Sequence, residues 1–509
     1  MTTPETLVEL DRGRPGLTGQ LTVALREAIV QGRLAPGTRL PSSRGLAADL
    51  RLSRGVVVEA YEQLVAEGRL VARPGAGTLV APDTGVSRSR RRTPDAPVAA
   101  PTGIGPTTRP SLTGTGIGPA TRTSPTGNAF RSGVPDLAMF PRVQWRRAYE
   151  RALSRARDAD LDYGDPAGAP RLRAELANYL GRVRAARVDP ADLVITTGAA
   201  QAFSLIATVL RSRGATEVGI EDPGSAGIRG HLEAQGLRLV PVPVDAEGLD
   251  VEALWRTGLP AVLTTPAHQY PTGVVLAPRR RAALLAWARQ TGGLVVEDDY
   301  DAEFRYDRDP VGCLQGLAPE LVAHVGSASK ALAPALRLGW LAVPQGWRTA
   351  VVAAKFAADV GGPVLEQLAF AELLASGGYD RHLRRCRQAH RQRRDALTEA
   401  LRRYLPEARI SGVAAGLHLV VELPDGIDDE RLADAAQRVG LAPVPLSRLR
   451  LAPGGPPGLV LGYAANPPAE LTRAVRTLAG LVSPPLTVPP AGDTPVPIRP
   501  PRAAGPGTR

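Results

Sequence analysis

Between residues 128 and 482, short apolar segments alternate with amphipathic ones, and this alternation restricts the fold more than any other feature of the chain. Short apolar runs predict buried strands, whereas apolar residues spaced three and four apart predict helices. Strands that are separated by helices predict an α/β fold with a doubly wound, mainly parallel sheet. A smaller C-terminal α/β portion is expected to start near residue 365. The strand candidates include LVITT (193–197), EVGIE (217–221), AVLTT (261–265), GLVVED (293–298), LVAHVG (321–326) and LGWLAV (338–343).

Two further segments divide the 509 residues into parts. Residues 83–127 are rich in Pro, Thr, Gly and Arg, with hardly an aromatic or long aliphatic side chain. Such a segment buries too little apolar surface to offset the entropy lost on ordering, so it is predicted to be a flexible linker. The Pro-rich end, 483–509, is predicted to be a disordered tail. The chain therefore divides into a module at 10–82, the linker, a larger domain at 128–482 and the tail.

The composition bounds the compartment and the partners more loosely. There is no N-terminal signal pattern and no apolar run of about 18 residues, so neither export nor a membrane anchor is expected. Cys313 and Cys386 form no metal-type or redox-type pair, which fits a reducing cytoplasm, and no metal site is expected. The net charge of +12 suggests a polyanionic partner, although a basic linker or tail raises the charge equally well.

The module at 10–82 has the pattern of a winged helix-turn-helix. One helix stops at Pro36-Gly37, a short helix follows near 44–50, and Ser53 is placed to cap a longer one. Two short strands in RLVARPGAGTLVA then form a wing. The second helix of such a unit enters the major groove of double-stranded DNA. A generic three-helix fragment with surface arginines stays open as the alternative at this point. The expected DNA contacts are Arg44, Ser53, Arg54, Gly55, Val56 and, in the wing, Gly75.

The residues of this module carry more information than its shape. The run GRLAPGTRLPSSRGLAADLRLSRGVVVEAYEQLVAEGRLVARPGAGTLV resembles the winged helix of the GntR family of bacterial regulators nearly end to end. That family normally has Thr-Val after the Ser-Arg pair, whereas Gly55 and Val56 follow here. One hydroxyl that contacts DNA is therefore missing, which leaves the operator sequence open but not the binding of DNA.

Lysine is almost absent from the chain. Of 62 basic residues, only Lys330 and Lys355 are lysines. A guanidinium stays charged, whereas an amine can lose its proton and condense with an aldehyde. Lys330 follows Ser327 and Ser329 and precedes Arg337, and small hydroxyls with a guanidinium suit a phosphate group. A surface lysine beside a helix N-terminus is the alternative.

Pyridoxal phosphate demands an amine, an acid partner for its pyridine nitrogen and donors for its phosphate. Candidates for all three lie near the ends of predicted strands, where ligands bind in open α/β sheets. ITTGAAQAF offers the amides of Gly198, Ala199 and Ala200 at a helix N-terminus. VVEDDYDAEFRY places Asp298 at a strand end, with Tyr300 two residues on. Taken alone, the glycine turn is a common feature, and an acidic pair at a strand end equally suits Mg²⁺.

Together these motifs resemble the fold-type I aminotransferases over about residues 128–482. TPAHQYPTG (265–273), EDDYDAEFRY (297–306) and SKALAPALRLGW (329–340) are more narrowly similar to the MocR or GabR-like subfamily of GntR regulators. In that subfamily a winged helix precedes an aminotransferase-like domain, and the order of parts in this chain is the same.

The resemblance implies pyridoxal phosphate as the cofactor, bonded to Lys330. It also implies that Asp298 pairs with the pyridine nitrogen and that Tyr300 contacts the ring 3-hydroxyl. It further implies that Ser327, Ser329 and Arg337 bind the phosphate, together with the backbone amides of residues 198–200. The remaining cofactor contacts, in the TPAHQYPTG motif, are His268 and Tyr270.

Three positions depart from the aminotransferase pattern. Ser225 stands where an aromatic side chain usually stacks on the ring, and Tyr270 stands where true aminotransferases have Asn. Val460 replaces the arginine that binds the substrate carboxylate. Arg448 and Arg450 are close enough in sequence to be considered as its substitutes.

Three functions follow from these residues. The first is a regulator whose domain senses pyridoxal phosphate or an amino compound and controls promoter binding, with vitamin B6 or amino-acid metabolism genes as candidate targets. The second is an active aminotransferase with an appended DNA-binding module, and the third is a cofactor-free scaffold that dimerises. Val460 disfavours the enzyme and favours pyridoxal phosphate as the effector. A homodimer is expected, because fold-type I sites are usually completed by the partner subunit and dimers read paired half-sites.

Overall fold

The computed structural model of the chain describes residues 10–11, 16–73, 77–81, 129–306 and 311–482. The predicted linker (83–127), the predicted tail (483–509) and Gly75 of the wing lie outside the described residues. Within the described ranges, no helix combines the length and the apolar character that crossing a membrane requires.

The N-terminal module consists of three helices and an antiparallel strand pair. Ser42 Oγ accepts a hydrogen bond from Gly45 N at 3.1 Å and caps one helix, while Ser53 Oγ accepts from Val56 N at 3.4 Å and caps the next. Arg51 has a φ of 47° and closes the tight turn between these two helices. The helix-turn-helix and the wing strands are therefore present as predicted. The elements are α1 (Leu17–Val30), α2 (Ser43–Asp49), α3 (Arg54–Ala66), β1 (Leu70–Arg73) and β2 (Gly77–Val80).

The larger domain is built on an eight-stranded sheet of order β3-β10-β9-β8-β7-β4-β5-β6. β10 runs antiparallel to both of its neighbours, while β9, β8, β7, β4 and β5 are parallel. All six predicted strands are present, and the sheet is mainly parallel as expected. The strands are β3 (Leu193–Thr196), β4 (Glu217–Asp222), β5 (Arg238–Asp245), β6 (Gly248–Leu249), β7 (Ala261–Thr264), β8 (Leu294–Asp299), β9 (Val322–Ser327) and β10 (Gly339–Ala342).

Helices cover both faces of this sheet, because successive strand residues are buried on opposite sides. Ile195 of β3 packs in one apolar cluster, with α5, α11 and the first half of α12, whereas its neighbour Val194 packs in another, with α6, α7 and α10. The helices of this domain are α4 (Arg142–Arg155), α5 (Pro170–Arg184), α6 (Ala199–Ser212), α7 (Ala226–Ala234), α8 (Val251–Trp255), α9 (Pro278–Thr291), α10 (Gln345–Asp359), α11 (Val364–Ala375) and α12 (Gly378–Tyr404).

The C-terminal portion begins later than its predicted start near residue 365. That residue lies in α11, which packs on α4 and α5 of the larger domain. The long helix α12 spans both units, with Leu383 in the core of the larger domain and Leu397 in that of the smaller one. An antiparallel sheet of order β11-β12-β14-β13 follows. Its elements are β11 (Arg409–Ser411), β12 (His418–Glu422), α13 (Asp429–Arg438), β13 (Val444–Pro445), β14 (Gly458–Gly462) and α14 (Pro468–Val482).

Candidate functional site

Lys330 follows the end of β9, and Asp298 is the second-last residue of the adjacent parallel strand β8. Their charges interact, and burial lowers the pKa of the Lys330 amine while the carboxylates of Asp298 and Asp301 oppose that shift. The Lys330 Nζ donates a hydrogen bond to the Gly133 carbonyl oxygen at 2.5 Å, which holds the amine in the site. The arrangement presents a half-buried amine that loses its proton more easily than a surface lysine.

Asp298 is buried, and its Oδ1 has no hydrogen-bond partner within the described part of the chain. Burial first, and the negative charge of Asp299 second, raise the pKa of Asp298 to about 8, although the positive charge of Lys330 opposes them. A buried carboxyl oxygen without a partner is costly unless a ligand satisfies it. The pyridine nitrogen of pyridoxal phosphate is a group of the right chemistry, so this residue fits the cofactor.

The predicted phosphate donors come together in one corner of the sheet. Gly198 precedes α6, whose first turn has no side-chain cap, and a helix N-terminus of this kind attracts anions. Arg337 Nη2 donates to the Thr197 carbonyl at 2.6 Å, and a Cβ added at Gly198 would lie 2.9 Å from the same nitrogen. Because Gly198 also has a φ of 96°, glycine is required here. The start of α6 includes Ala199 and Ala200.

The two serines line the same corner. Ser327 lies opposite Gly339 across the β9–β10 pair, and a Cβ at Gly339 would lie 2.8 Å from Gly198 Cα. Ser327 Oγ donates to Ser329 Oγ at 2.8 Å, and Ser329 N donates to Ser327 Oγ at 3.1 Å. The amide end of α6, two hydroxyls and one guanidinium therefore converge as a phosphate would require.

An aromatic and histidine wall lies beside Lys330. The Tyr300 hydroxyl lies 3.0 Å from His268 Nδ1, and the same nitrogen lies 3.0 Å from Asp301 Oδ2. Tyr270 meets Tyr300 edge to face, with the ring centres 6.1 Å apart. Burial raises the pKa of the Tyr300 phenol well above its ordinary value, so the hydroxyl keeps its proton. His268, Tyr270 and Tyr300, which were predicted from two separate motifs, thus form one wall.

Sequence reasoning missed three residues of this site. Gly133 supplies the carbonyl that holds Lys330, Asp301 orients His268, and the His418 ring packs at an angle against the rings of both His268 and Tyr270. Burial, followed by the neighbouring His268, lowers the pKa of His418 to about 3, so its ring is neutral. Asp301 lies in the acidic motif and could have been chosen from it. Gly133 and His418 come from distant segments and carried no signal.

The structure gives the two proposed substitutes for the missing arginine other partners. Arg448 pairs with Glu430 and Asp434 on α13, at 3.1 Å each, and Arg450 donates to the Pro456 carbonyl at 2.6 Å. Both guanidiniums thus already have hydrogen-bonding partners. Val460 is fully buried in a small apolar cluster that also contacts the Tyr270 ring.

Ser225, the second departure, has a structural role in this chain. It caps α7, and its Oγ accepts from Ile228 N at 3.4 Å.

The predicted DNA contacts Ser53, Arg54, Gly55 and Val56 lie at the N-terminal end of α3, and Arg44 lies in the first turn of α2. Arg44, Ser53, Arg54 and Gly55 are exposed, and Arg54 Nε reaches Ser43 Oγ at 3.5 Å. Val56 is half-buried against the core of the module, so it offers less surface than the others.

Comparison with known proteins matches both units of the chain. Residues 17–80 match the bacterial regulatory proteins of the gntR family, and residues 130–478 match aminotransferase class I and II. The probable rhizopine catabolism regulatory protein MocR of Rhizobium meliloti is 33% identical over 470 residues, which cover 90% of this chain and 92% of that protein. The HTH-type pyridoxine biosynthesis transcriptional regulator PdxR of Corynebacterium glutamicum is 34% identical, covering 91% and 95%.

Solved structures match the larger domain. The α-aminoadipate aminotransferase LysN of Thermus thermophilus, complexed with N-(5'-phosphopyridoxyl)-L-leucine, is 30% identical with a TM-score of 0.63. The match covers 70% of this chain and 92% of LysN. The larger domain therefore has the fold of the fold-type I aminotransferases.

Proposed function

Because this chain belongs to the MocR-type regulators of the gntR family, we propose that its aminotransferase-like domain binds pyridoxal phosphate and thereby controls promoter binding. The observation that carries the proposal is the pairing of the half-buried Lys330 with the buried Asp298, whose Oδ1 has no hydrogen-bond partner among the residues that the structure describes. We place the boundaries of the DNA-binding domain at 10–82 and of the cofactor domain at 128–482, and we propose that the protein works in the cytoplasm as a homodimer.

Each part of the cofactor has residues suited to it. Lys330 supplies the amine, and burial favours its neutral, nucleophilic form. Asp298 shares one proton with the ring nitrogen, and Tyr300 presents a protonated hydroxyl to the ring. When bound, pyridoxal phosphate supplies an aldehyde that bonds reversibly to primary amines, so the site can respond to amino compounds. The phosphate is held by the residues Gly198, Ala199, Ala200, Ser327, Ser329 and Arg337.

The domain is proposed to sense rather than to catalyse. Transamination of an amino acid needs an anchor for the substrate carboxylate, and Val460 occupies that position as a buried apolar side chain. Since Arg448 and Arg450 are bonded elsewhere, we propose pyridoxal phosphate itself as the effector. PdxR is named for pyridoxine biosynthesis, which supports vitamin B6 genes as the targets. MocR is named for rhizopine catabolism, so an amino compound is the second candidate effector.

The test maps binding around the protein's own gene. Protein stripped of cofactor and protein reloaded with pyridoxal phosphate are footprinted on the upstream DNA at one fixed salt concentration. We expect the loaded and stripped forms to differ in affinity or in footprint. Identical footprints and affinities, with cofactor demonstrably bound, would contradict the regulatory part of the proposal. Steady turnover of an amino acid with a keto acid would instead support an active aminotransferase.

A further inference from the structure

Lys355, the second lysine of the chain, is fully buried on α10. Lysine is almost never buried to this extent unless its charge is paired. The pairing lies one helical turn later, where both carboxylate oxygens of Asp359 accept from Lys355 Nζ, Oδ1 at 2.9 Å and Oδ2 at 2.7 Å. An exposed ion pair contributes little, whereas removing the buried member of a pair leaves the other charge uncompensated. The pair is therefore expected to hold a neighbouring part of the fold in place.

The ion pair extends to the first turn of α6, on which α10 packs. Asp359 Oδ2 also accepts from Gln201 Nε2 at 2.7 Å, and Gln201 Oε1 accepts from Thr197 N at 2.9 Å. These two neighbours fix the orientation of the Gln201 amide, because only its nitrogen can donate to the carboxylate and only its oxygen can accept from a backbone N–H. Gln201 therefore connects the ion pair to the residue that precedes Gly198.

Gln201 fixes the start of α6 without covering the amides that would meet a phosphate. It is the third residue of the helix, and a side chain at this position that reaches back to the preceding backbone is one half of a capping box. The other half is a side chain on the N-cap residue, which in this helix is Gly198. The turn is thus held in place while the first amides have no side-chain cap, as an anion site at a helix N-terminus requires.

Thr197 is held at its second polar group as well. Its carbonyl accepts from Arg337 Nη2 at 2.6 Å, and Arg337 is one of the predicted phosphate contacts. The backbone of Thr197 is therefore fixed at its N–H by Gln201 and at its carbonyl by Arg337. One series of hydrogen bonds runs from Lys355 through Asp359 and Gln201 to the turn in which the phosphate donors converge.

We propose that Lys355 is a positioning residue for the phosphate of pyridoxal phosphate, and that it acts through Asp359 and Gln201 on the turn that precedes α6. The proposal rests on the proposed function, since it requires the phosphate at this turn. The Lys355 amine holds the Asp359 carboxylate and neutralises it. Without that amine, an unpaired negative charge would remain beside the first turn of α6 and disfavour an anion there. Both lysines of the chain thus serve one cofactor, Lys330 at its aldehyde and Lys355 at its phosphate.

A comparison of pyridoxal phosphate with pyridoxal tests the proposal. The two compounds share the ring and the aldehyde, so the ratio of their affinities isolates the contribution of the phosphate. In Lys355→Met, which keeps the length and removes the charge, pyridoxal phosphate should bind about tenfold more weakly, whereas pyridoxal should bind as it does to the wild type. Gln201→Leu should give the same pattern. The double variant should lose no more than the larger single loss, because both changes interrupt one series of bonds. The absorbance band that forms on Lys330 measures both affinities.

Two variants serve as controls. Lys355→Arg keeps a cation beside Asp359 and should retain the wild-type ratio. Arg280→Met removes a largely buried guanidinium from its ion pair with Asp245, at 2.6 Å, near the opposite edge of the sheet from β3, and should change neither affinity. Equal losses for the two compounds in Lys355→Met would indicate general damage to the fold, and unchanged affinities would indicate a lysine without a role in phosphate binding. Either result overturns the proposal.

Hydrogen exchange of the stripped protein gives a readout that needs no cofactor. The Thr197 amide should exchange faster in Lys355→Met and in Gln201→Leu than in the wild type, because its acceptor is released in one variant and removed in the other. An exchange rate that Lys355→Met leaves unchanged overturns the positioning role. A wild type that binds pyridoxal phosphate no better than pyridoxal instead defeats the proposed function, and the exchange rates still test the connection from Lys355 to the turn.

Discussion

The two ends of this molecule are prepared for their ligands in opposite ways. At the DNA-reading end, Arg44 and Arg54 are exposed on a small module whose own core is closed without them. At the cofactor site, Asp298 is buried and Lys330 half-buried, and their pKa values are moved toward each other before any ligand arrives. Removing an exposed cation removes about one contact with the ligand. Removing a buried group changes both the affinity for the ligand and the stability of the fold. The difference predicts smaller losses of binding at the DNA-reading end and larger ones at the cofactor site.

The largest effect is expected from Lys330→Ala. The wild type with pyridoxal phosphate should be yellow, and borohydride should fix the cofactor to Lys330, whereas the variant should show neither because it lacks the bonding amine. Absorbance spectra and peptide mapping measure both. The control is Lys355→Arg, which should behave as the wild type does. The Lys355 amine of the wild type donates to Asp359 at 2.7 Å, so borohydride should not fix the cofactor to it. Some DNA binding should survive in Lys330→Ala, and an equal collapse of both functions would indicate misfolding.

Asp298→Asn should separate binding from stability. Losing the charged partner of the ring nitrogen should weaken pyridoxal phosphate binding by about 10- to 150-fold, which corresponds to about 1.5–3 kcal/mol. The stripped variant should nevertheless be more stable than the stripped wild type at pH 8, by on the order of 5 kcal/mol, because a pKa raised by about four units costs the wild type about 1.4 kcal/mol per unit. Cofactor titration and urea unfolding measure the two effects.

The pH dependence of that stability difference has a definite sign. The folded protein keeps the Asp298 proton up to about pH 8, whereas the unfolded chain releases it near pH 4. Because the folded state binds more protons in that window, the stability of the stripped wild type should fall as pH rises from 4 to 8. The gap to Asp298→Asn should therefore be small near pH 4 and level off above pH 8. A gap that is constant with pH would contradict the raised pKa.

Residues of local motifs and long-range partners differed in how far the sequence predicted them. The sequence predicted the residues that belong to a local motif. In each such motif a glycine turn, an acid or a lysine follows a strand, and the position of its side chain depends on neighbouring residues of the chain. Long-range partners were not found: Gly133 and His418 reach Lys330 and His268 only through the folded chain. β5 was missed because Pro241 and Pro243 oppose a strand assignment, although β5 lies beside the sheet edge where proline is tolerated.

Arg54→Ala should have a smaller effect than either change at the cofactor site. If Arg54 reads a base, its loss should weaken operator binding by about 1–3 kcal/mol and relax the preference at one position. Arg44→Ala, by comparison, should weaken all sequences alike and reduce the salt slope by about one if it contacts a phosphate. Affinities on operator and scrambled DNA at several salt concentrations distinguish these roles. Unchanged binding by Arg54→Ala would move base reading to Arg44 or the wing.

The smallest effect is expected from removing a helix cap, an interaction that occurs both at the DNA-reading end and near the cofactor site. Ser53 and Ser225 each cap a helix, with Oγ accepting a backbone N–H at 3.4 Å, so replacing either by Ala should cost about 1 kcal/mol locally, and replacing it by Gly a few tenths. Hydrogen exchange of the first amides of α3 and α7 measures the loss. Only Ser53→Ala should also weaken DNA binding, since its helix start faces DNA. If Ser225→Ala weakened pyridoxal phosphate binding by more than its capping cost, Ser225 would be a cofactor contact in place of the missing aromatic ring.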